Sequence, residues 1–321
     1  MKTVRIILSV VFAVFFLAVL VAMDGAAVAA KLWDASPMAV LAALCIVQLQ
    51  VVLSAYRWKF TAHRLGQEIA FPTAIREYYI ASTFNQVLPG GVAGDAIRAY
   101  RSGKDGMDGM RKPVAAVALE RFSGQLAFLT LLSAGFLAWP FLPQEAMPAE
   151  FSQAIWLAPV VALTAIIGGV FIAAAFFPRK FAQYRRHLAE VFWHRGAFIR
   201  QFLTSLLVVA TYVATFAIAS AAVGATLPLI GLLTVIPLCL LTMIIPVGVG
   251  GWGTREAAAA LLWPVIGLSS AAGVSASILY GAISLVGVAV PAALFLVHAT
   301  IRDLMGAKAA KRLHVKDSSL A

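Results

Sequence analysis

Apolar residues run along this chain in long blocks rather than in alternation, and the blocks set the architecture. Continuous apolar stretches cover about residues 6–23, 38–57, 113–139, 153–177, 199–222 and 270–298. At a rise of about 1.5 Å per residue, such stretches are of the length that crosses a bilayer core of roughly 30 Å as helices. Pro, Gly or charged clusters bound each of them. Two further apolar segments, about 71–97 and 229–266, are interrupted near their middles by Pro and Gly. The pattern predicts an all-α polytopic membrane protein with six full transmembrane helices and two interrupted elements. The longest polar connection, about 178–200, is too short for an independent fold. Residues 1–321 therefore read as one membrane domain ending in a basic tail at 303–321.

The first block admits a second reading. Lys2 and Arg5, the run from Ile6 to Met23 and the small residues Ala27-Val28-Ala29 together look like a cleaved secretory signal. The run is longer than the roughly 7–15 apolar residues of a signal peptide, so a retained first helix is expected.

Charge then orients the chain. Of its residues, 62% are hydrophobic and 12% charged, mean hydropathy is +0.91, and 25 Lys and Arg give a net charge of +11. The basic residues gather at the N-terminus, the Arg57–Arg64 turn, the Arg98–Lys112 stretch, the Arg179–Arg200 loop and the tail from Arg302. The positive-inside rule makes these cytoplasmic, and only Lys31 departs from it. Both termini then lie in the cytoplasm, which demands an even number of crossings. Orientation and contact with anionic headgroups account for the charge. No nucleic-acid partner is expected, because no aromatic-interleaved basic patch is present. Cys45 and Cys239 fall inside predicted spans and read as small core residues, not as a disulfide, metal site or nucleophile.

An internal repeat changes the meaning of the interrupted segments. Pro89, Gly91, Val92, Gly94 and Arg98 recur at an offset of 157 as Pro246, Gly248, Val249, Gly251 and Arg255. The same offset superposes the flanking spans, giving pseudo-repeats of about 1–145 and 150–302. Each reads span, span, interrupted segment, span. Three crossings per half turn the second half upside down, an inverted-topology repeat. An even crossing count makes each interrupted segment a re-entrant helical hairpin. The first is expected to stop near Val87, turn at Leu88–Gly94 and return through Asp95–Arg101; the second turns at Pro246–Gly253. Non-helical backbone at membrane depth survives only when packed in protein or lining a wet cavity. Gly and Pro suit such a turn, and the half-helix that follows aims its N–H groups inward, where an anion could dock.

Charges at that depth need a reason, since even lenient insertion scales set roughly 2.5–3.5 kcal/mol on each. Glu120 and Arg121 lie roughly 12 Å into the span that begins at residue 113. Two readings stand. Asp95 or Glu120 with Arg98 or Arg121 form salt bridges that pin the hairpins, or the hairpin tips and charges line a central cavity for a headgroup.

The run Asn85-Gln-Val-Leu-Pro-Gly-Gly-Val-Ala-Gly-Asp-Ala-Ile-Arg98, the pair Glu120-Arg121 and the run Ile245-Pro-Val-Gly-Val-Gly-Gly-Trp-Gly-Thr-Arg-Glu256 resemble the membrane domain of the lysylphosphatidylglycerol synthase and flippase family. The likeness spans nearly the whole chain. It implies translocation of a lipid across the bacterial inner membrane, with a phospholipid or lipid-linked substrate of anionic, aminoacylated or polyprenyl/hopanoid type. The soluble domain that loads lysine onto phosphatidylglycerol has no counterpart in this sequence, so lipid aminoacylation is not expected of it.

The substrate-binding residues expected from these motifs are Asn85, Pro89, Gly90, Gly91, Gly94, Asp95, Arg98, Glu120, Arg121, Pro246, Gly248, Gly250, Gly251, Gly253, Arg255 and Glu256. Arg98, Arg121 and Arg255 would hold phosphate. Asp95, Glu120 and Glu256 would pair with them or with a cationic headgroup, and the glycines would give clearance. Glu120 and Glu256 are also candidate proton carriers. An enzyme is not expected: no His-Glu-x-x-His site or Gly-x-Ser-x-Gly elbow is present, and the five histidines are scattered. Gly248–Gly253 formally matches Gly-x-Gly-x-x-Gly, yet no strand precedes it. No metal or cofactor is expected. The remaining alternatives are a lipid-modifying enzyme such as a glycosyltransferase partner, and a scaffold for envelope-biosynthesis enzymes docked on the Arg179–Arg200 loop. A homo-oligomer is the other candidate assembly.

Overall fold

The computed structural model describes residues 25–88, 90–103, 109–138, 187–193, 196–244 and 249–318, with side chains through Arg302. The predicted spans 6–23 and 153–177, together with Pro89, Pro246 and Gly248, lie outside the described residues.

The described elements are helical. After α1 (Gly25–Trp33), a loop outside the predicted spans that the chain winds into helix, comes α2 (Pro37–Arg64). Ser36 caps α2 by accepting the Ala39 N–H at 3.4 Å, and Pro37 sits at the start, where its missing N–H costs nothing. An interrupted pair follows, α3 (Phe71–Val87) and α4 (Ala93–Gly103), then α5 (Arg111–Ala138). After a short helical turn at Ala189–Trp193 come α6 (Ala197–Ala222), α7 (Gly231–Leu241), α8 (Thr254–Leu262) and α9 (Ser270–Ser318).

Four of these are long and apolar enough to cross a bilayer: Pro37–Arg64, Arg111–Ala138, Ala197–Ala222 and Ser270–Arg302. They coincide with four of the six predicted spans, and the protein is a multi-pass helical membrane protein. Two boundaries differ from expectation. The Arg57–Arg64 turn is the last two turns of α2, because the buried series Ser54, Arg57, Trp58 and Thr61 keeps helical spacing past the apolar block. The helix of the last span does not stop near residue 298, since α9 continues through residues 303–318, a stretch without proline.

The core forms where α2, α6 and α9 meet. Phe216 stacks on Tyr280 at 4.8 Å and packs on Trp263 at 5.5 Å, while Ala43, Val47 and Ala55 allow close approach on α2. A buried polar seam joins α2, α5 and α6. The Gln201 amide donates to Thr61 Oγ1 and Ser123 Oγ, both at 3.1 Å, and Ser205 donates to Ser123 at 3.2 Å. Such groups are tolerated inside a bundle because most find a partner there, the Gln201 Oε1 excepted. The outward faces carry Leu41, Leu49, Leu203, Leu207 and Leu294, as lipid contact requires. Cys239 is buried, but Cys45 faces outward on α2, so only one cysteine is a core residue.

Candidate functional site

The first interrupted segment is an antiparallel helical hairpin, and its geometry explains its glycine. A Cβ on Gly94 would fall on the Ala81 carbonyl oxygen, so only glycine lets α4 start this close to α3. Asn85, near the end of α3, caps α4: its Oδ1 accepts the N–H groups of Gly94 (2.8 Å) and Asp95 (3.4 Å). At the hairpin base, Glu77 is gripped by Arg76 at 2.9 Å and Arg101 at 2.7 Å beside an open cleft of about 710 Å³. That cleft holds none of the residues expected to bind substrate.

Between α2, α3, α4 and α5 the charges form one cluster. Glu120, fully buried, accepts from Arg57 Nε (3.0 Å) and Nη2, from Arg98 Nη2 (3.0 Å) and from Tyr78 Oη (3.2 Å). Asp95 accepts from Arg98 at 2.9 Å, Arg121 at 2.6 Å and Asn85 Nδ2 at 3.2 Å. Arg98 Nε and Nη1 have no hydrogen-bond partner; its guanidinium lies 4.6 Å from the Trp58 ring and 4.4 Å from the Tyr78 ring, where cation–π attraction takes their place.

A second cluster sits where α8 meets α9. Arg255 pairs with Glu256 at 2.7 Å and donates through Nε to Ser277 at 2.8 Å; Ser277 donates to Glu256 at 2.9 Å. The Glu256 carboxylate also accepts the Gly253 N–H and so caps α8. Arg255 lies against Trp252 and Tyr280, at 5.2 and 4.9 Å. Gly281 is required here, since a Cβ would collide with the Arg255 guanidinium and come within 2.8 Å of Trp252. The N-termini of both half-helices are thus capped by the chain's own side chains, which differs from the expectation of open anion sites there.

The two interrupted segments meet. Gly250 has φ +59°, and a Cβ on it would lie 2.5 Å from the Gln86 carbonyl oxygen; Gln86 in turn donates to the Ser284 carbonyl at 3.3 Å. Beside this contact lies a cavity of about 350 Å³. Of the expected residues, Asn85, Gly90, Gly91, Asp95, Arg121, Gly250 and Arg255 line it. Gly94, Arg98, Glu120, Gly251, Gly253 and Glu256 do not line it. Arg57 is a charged residue outside the expected site: it lines the cavity, although the sequence places it in a cytoplasmic turn. Its signal was its place on the buried face of α2, three residues after Ser54 and four before Thr61.

Arg121 is different from the other guanidinium groups. Its side chain is 43% exposed although it lies about ten residues, roughly 15 Å, into α5. Among the described residues no cluster of His, Cys, Asp and Glu could hold a metal ion.

The family described as the lysylphosphatidylglycerol synthase TM region matches residues 6–292. The chain belongs to this family. The match takes in both interrupted segments and every cavity-lining residue named above. No curated protein matches the chain.

Proposed function

We propose that this protein is a lipid translocase that passes a headgroup between leaflets through the central cavity while the acyl chains stay in lipid. The observation that carries the reading is Arg121. A guanidinium at this depth would be costly against lipid, yet Arg121 is exposed into a cavity that both interrupted segments line. Membership in a lipid-related membrane family supports it.

In this reading the chain is an inverted repeat with six spans, two re-entrant hairpins and both termini in the cytoplasm of the bacterial inner membrane. The helix starts support the repeat: shifted by 157, the first residues of α2, α3, α4 and α5 fall within four residues of those of α6, α7, α8 and α9. So do the clusters. Arg98 and Arg255 each lie between a Trp and a Tyr, and Ser277, which binds Arg255, stands at the position equivalent to Glu120. The buried groups Arg98, Glu120, Arg255 and Glu256, paired among themselves and with their neighbours, pin the hairpins, and Arg121, backed by Arg57, meets the substrate. No covalent step on the lipid is required of the protein. The test is a leaflet-sidedness assay in proteoliposomes: the wild type moves labelled lipid faster than protein-free vesicles, and Arg121→Gln loses at least tenfold. A covalent change in the lipid would favour an enzyme instead.

A further inference from the structure

We infer that the cavity selects an anionic headgroup bearing free hydroxyl groups, of the phosphoglycerol or glycosyl-phosphate kind, and rejects a headgroup bearing a cationic amine. The inference rests on the translocase reading for the role of the cavity, and on the carboxylates and amides around it for its chemistry.

An ammonium group at membrane depth needs a carboxylate with lone pairs to spare. The carboxylates in and behind the cavity offer none, and the buried Glu77 is held by Arg76 and Arg101 beside the separate cleft. Asp95 already accepts from Arg98, Arg121 and Asn85. Glu120 accepts from two arginines and Tyr78, and Glu256 from Arg255, Ser277 and the Gly253 N–H; neither carboxylate is exposed. The spans 6–23 and 153–177 contain no Asp or Glu. The charge balance runs the other way. In the first cluster three guanidinium groups face two carboxylates, leaving one positive charge; in the second, one faces one. A single phosphodiester matches the surplus. Arg121 is where it binds, because its side chain lines the cavity and is 43% exposed, whereas Arg98 is buried and does not line it.

The hydroxyl preference comes from the neighbouring wall. The amides of Gln50 and Gln125 and the hydroxyl of Tyr212 line the same cavity and make no hydrogen bond with any described residue. An amide offers a donor and an acceptor side by side, the pattern that vicinal hydroxyls satisfy. A site whose polar groups await a hydroxyl penalises a ligand that lacks one, because those groups are then desolvated without a partner. Phe128 packs against Tyr212 at 6.0 Å and supplies an apolar wall for the carbon face of a polyol. About 350 Å³ holds a headgroup and excludes acyl chains.

The test compares four labelled lipids in proteoliposomes holding the full chain: phosphatidylglycerol, phosphatidylethanol, lysylphosphatidylglycerol and phosphatidylethanolamine. Phosphatidylethanol keeps the phosphodiester charge and lacks headgroup hydroxyls. Phosphatidylglycerol is expected to move at least fivefold faster than phosphatidylethanol and at least tenfold faster than either amine lipid. Replacing both Gln50 and Gln125 with Leu is expected to bring the ratio of phosphatidylglycerol to phosphatidylethanol to within twofold of one. Gln125→Leu alone, at a half-buried cavity position, is expected to lower it by half or more and serves if the double variant does not fold. Amine lipids moving as fast as phosphatidylglycerol, or a ratio that the glutamine variants leave intact, would overturn the inference. If no lipid moves faster than in protein-free vesicles, the translocase reading fails by itself. Calorimetric binding of dihexanoyl phosphatidylglycerol against dihexanoyl phosphatidylethanol to the purified protein then decides the inference: preference for the former sustains it, and equal binding overturns it.

Discussion

Glu120→Gln is the perturbation whose magnitude the structure sets most directly. The carboxylate is fully buried and is the shared acceptor of Arg57, Arg98 and Tyr78. The amide that replaces it keeps the shape but removes the charge, so the cluster goes from three guanidinium groups against two carboxylates to three against one. One amide oxygen cannot serve both arginines, and the amide nitrogen presents donors to donors. Arg98 keeps Asp95, whereas Arg57 keeps only the neutral Ser205 hydroxyl at 3.3 Å. Breaking a buried pair by removing one partner costs about 3–5 kcal/mol. At about 2–4 °C per kcal/mol the midpoint of thermal unfolding falls by roughly 6–20 °C. The chain carries its own reporter, because Cys239 is buried and reacts with a thiol-specific fluorophore only on unfolding; Cys45→Ala removes the exposed thiol. Adding Arg57→Met to Glu120→Gln removes the orphaned cation and is expected to restore about half of the loss, a coupling that a double-mutant cycle measures. A midpoint for Glu120→Gln within 2 °C of the parent, or no recovery in the double variant, would refute the view that Glu120 is the keystone of the cluster.

Other substitutions separate support from contact. Arg121→Gln is expected to leave the unfolding midpoint within about 3 °C, since its half-exposed pair with Asp95 contributes little, while lipid movement falls at least tenfold in the leaflet assay. Gly94→Val drives a side chain into the Ala81 carbonyl and is expected to cost about 3 kcal/mol or more as the hairpin opens, read by the same thiol assay. Asn85→Ala removes the cap of α4 and is expected to cost about 0.5–2 kcal/mol. Gly250→Ala strains a left-handed residue and separates the two tips, which should reduce lipid movement more than it lowers the unfolding midpoint.

Much of this arrangement was legible from residue order. Span positions follow from hydropathy because bilayer thickness demands a minimum apolar length, and α2, α5, α6 and α9 begin within a few residues of the expected starts. The stop of α3 at Val87 follows from Pro89, which cannot continue the helix. The ion pairs of Arg98 with Asp95 and Glu120 belong to one of the two readings the sequence leaves open, because buried charges need partners. Arg57 belongs to neither, because a cation at the end of an apolar block reads as an interface marker; only the helical register past residue 57 turns it inward. The caps were hidden for another reason. Asn85 reaches the α4 N–H groups across a turn, and the Glu256 cap closes on Gly253 through geometry that a count of unsatisfied N–H groups does not reveal. The structure therefore divides the expected site residues it describes into those that line the cavity and those that do not, a division invisible in a list of motif positions.

The most direct test of the central claim is the rate at which labelled phosphatidylglycerol changes leaflets in proteoliposomes containing wild type, Arg121→Gln or no protein, with protein orientation and amount matched. The account predicts movement well above the protein-free rate for the wild type and a fall of at least tenfold for Arg121→Gln, with the variant still folded by the Cys239 assay. Equal rates for wild type and Arg121→Gln would contradict it.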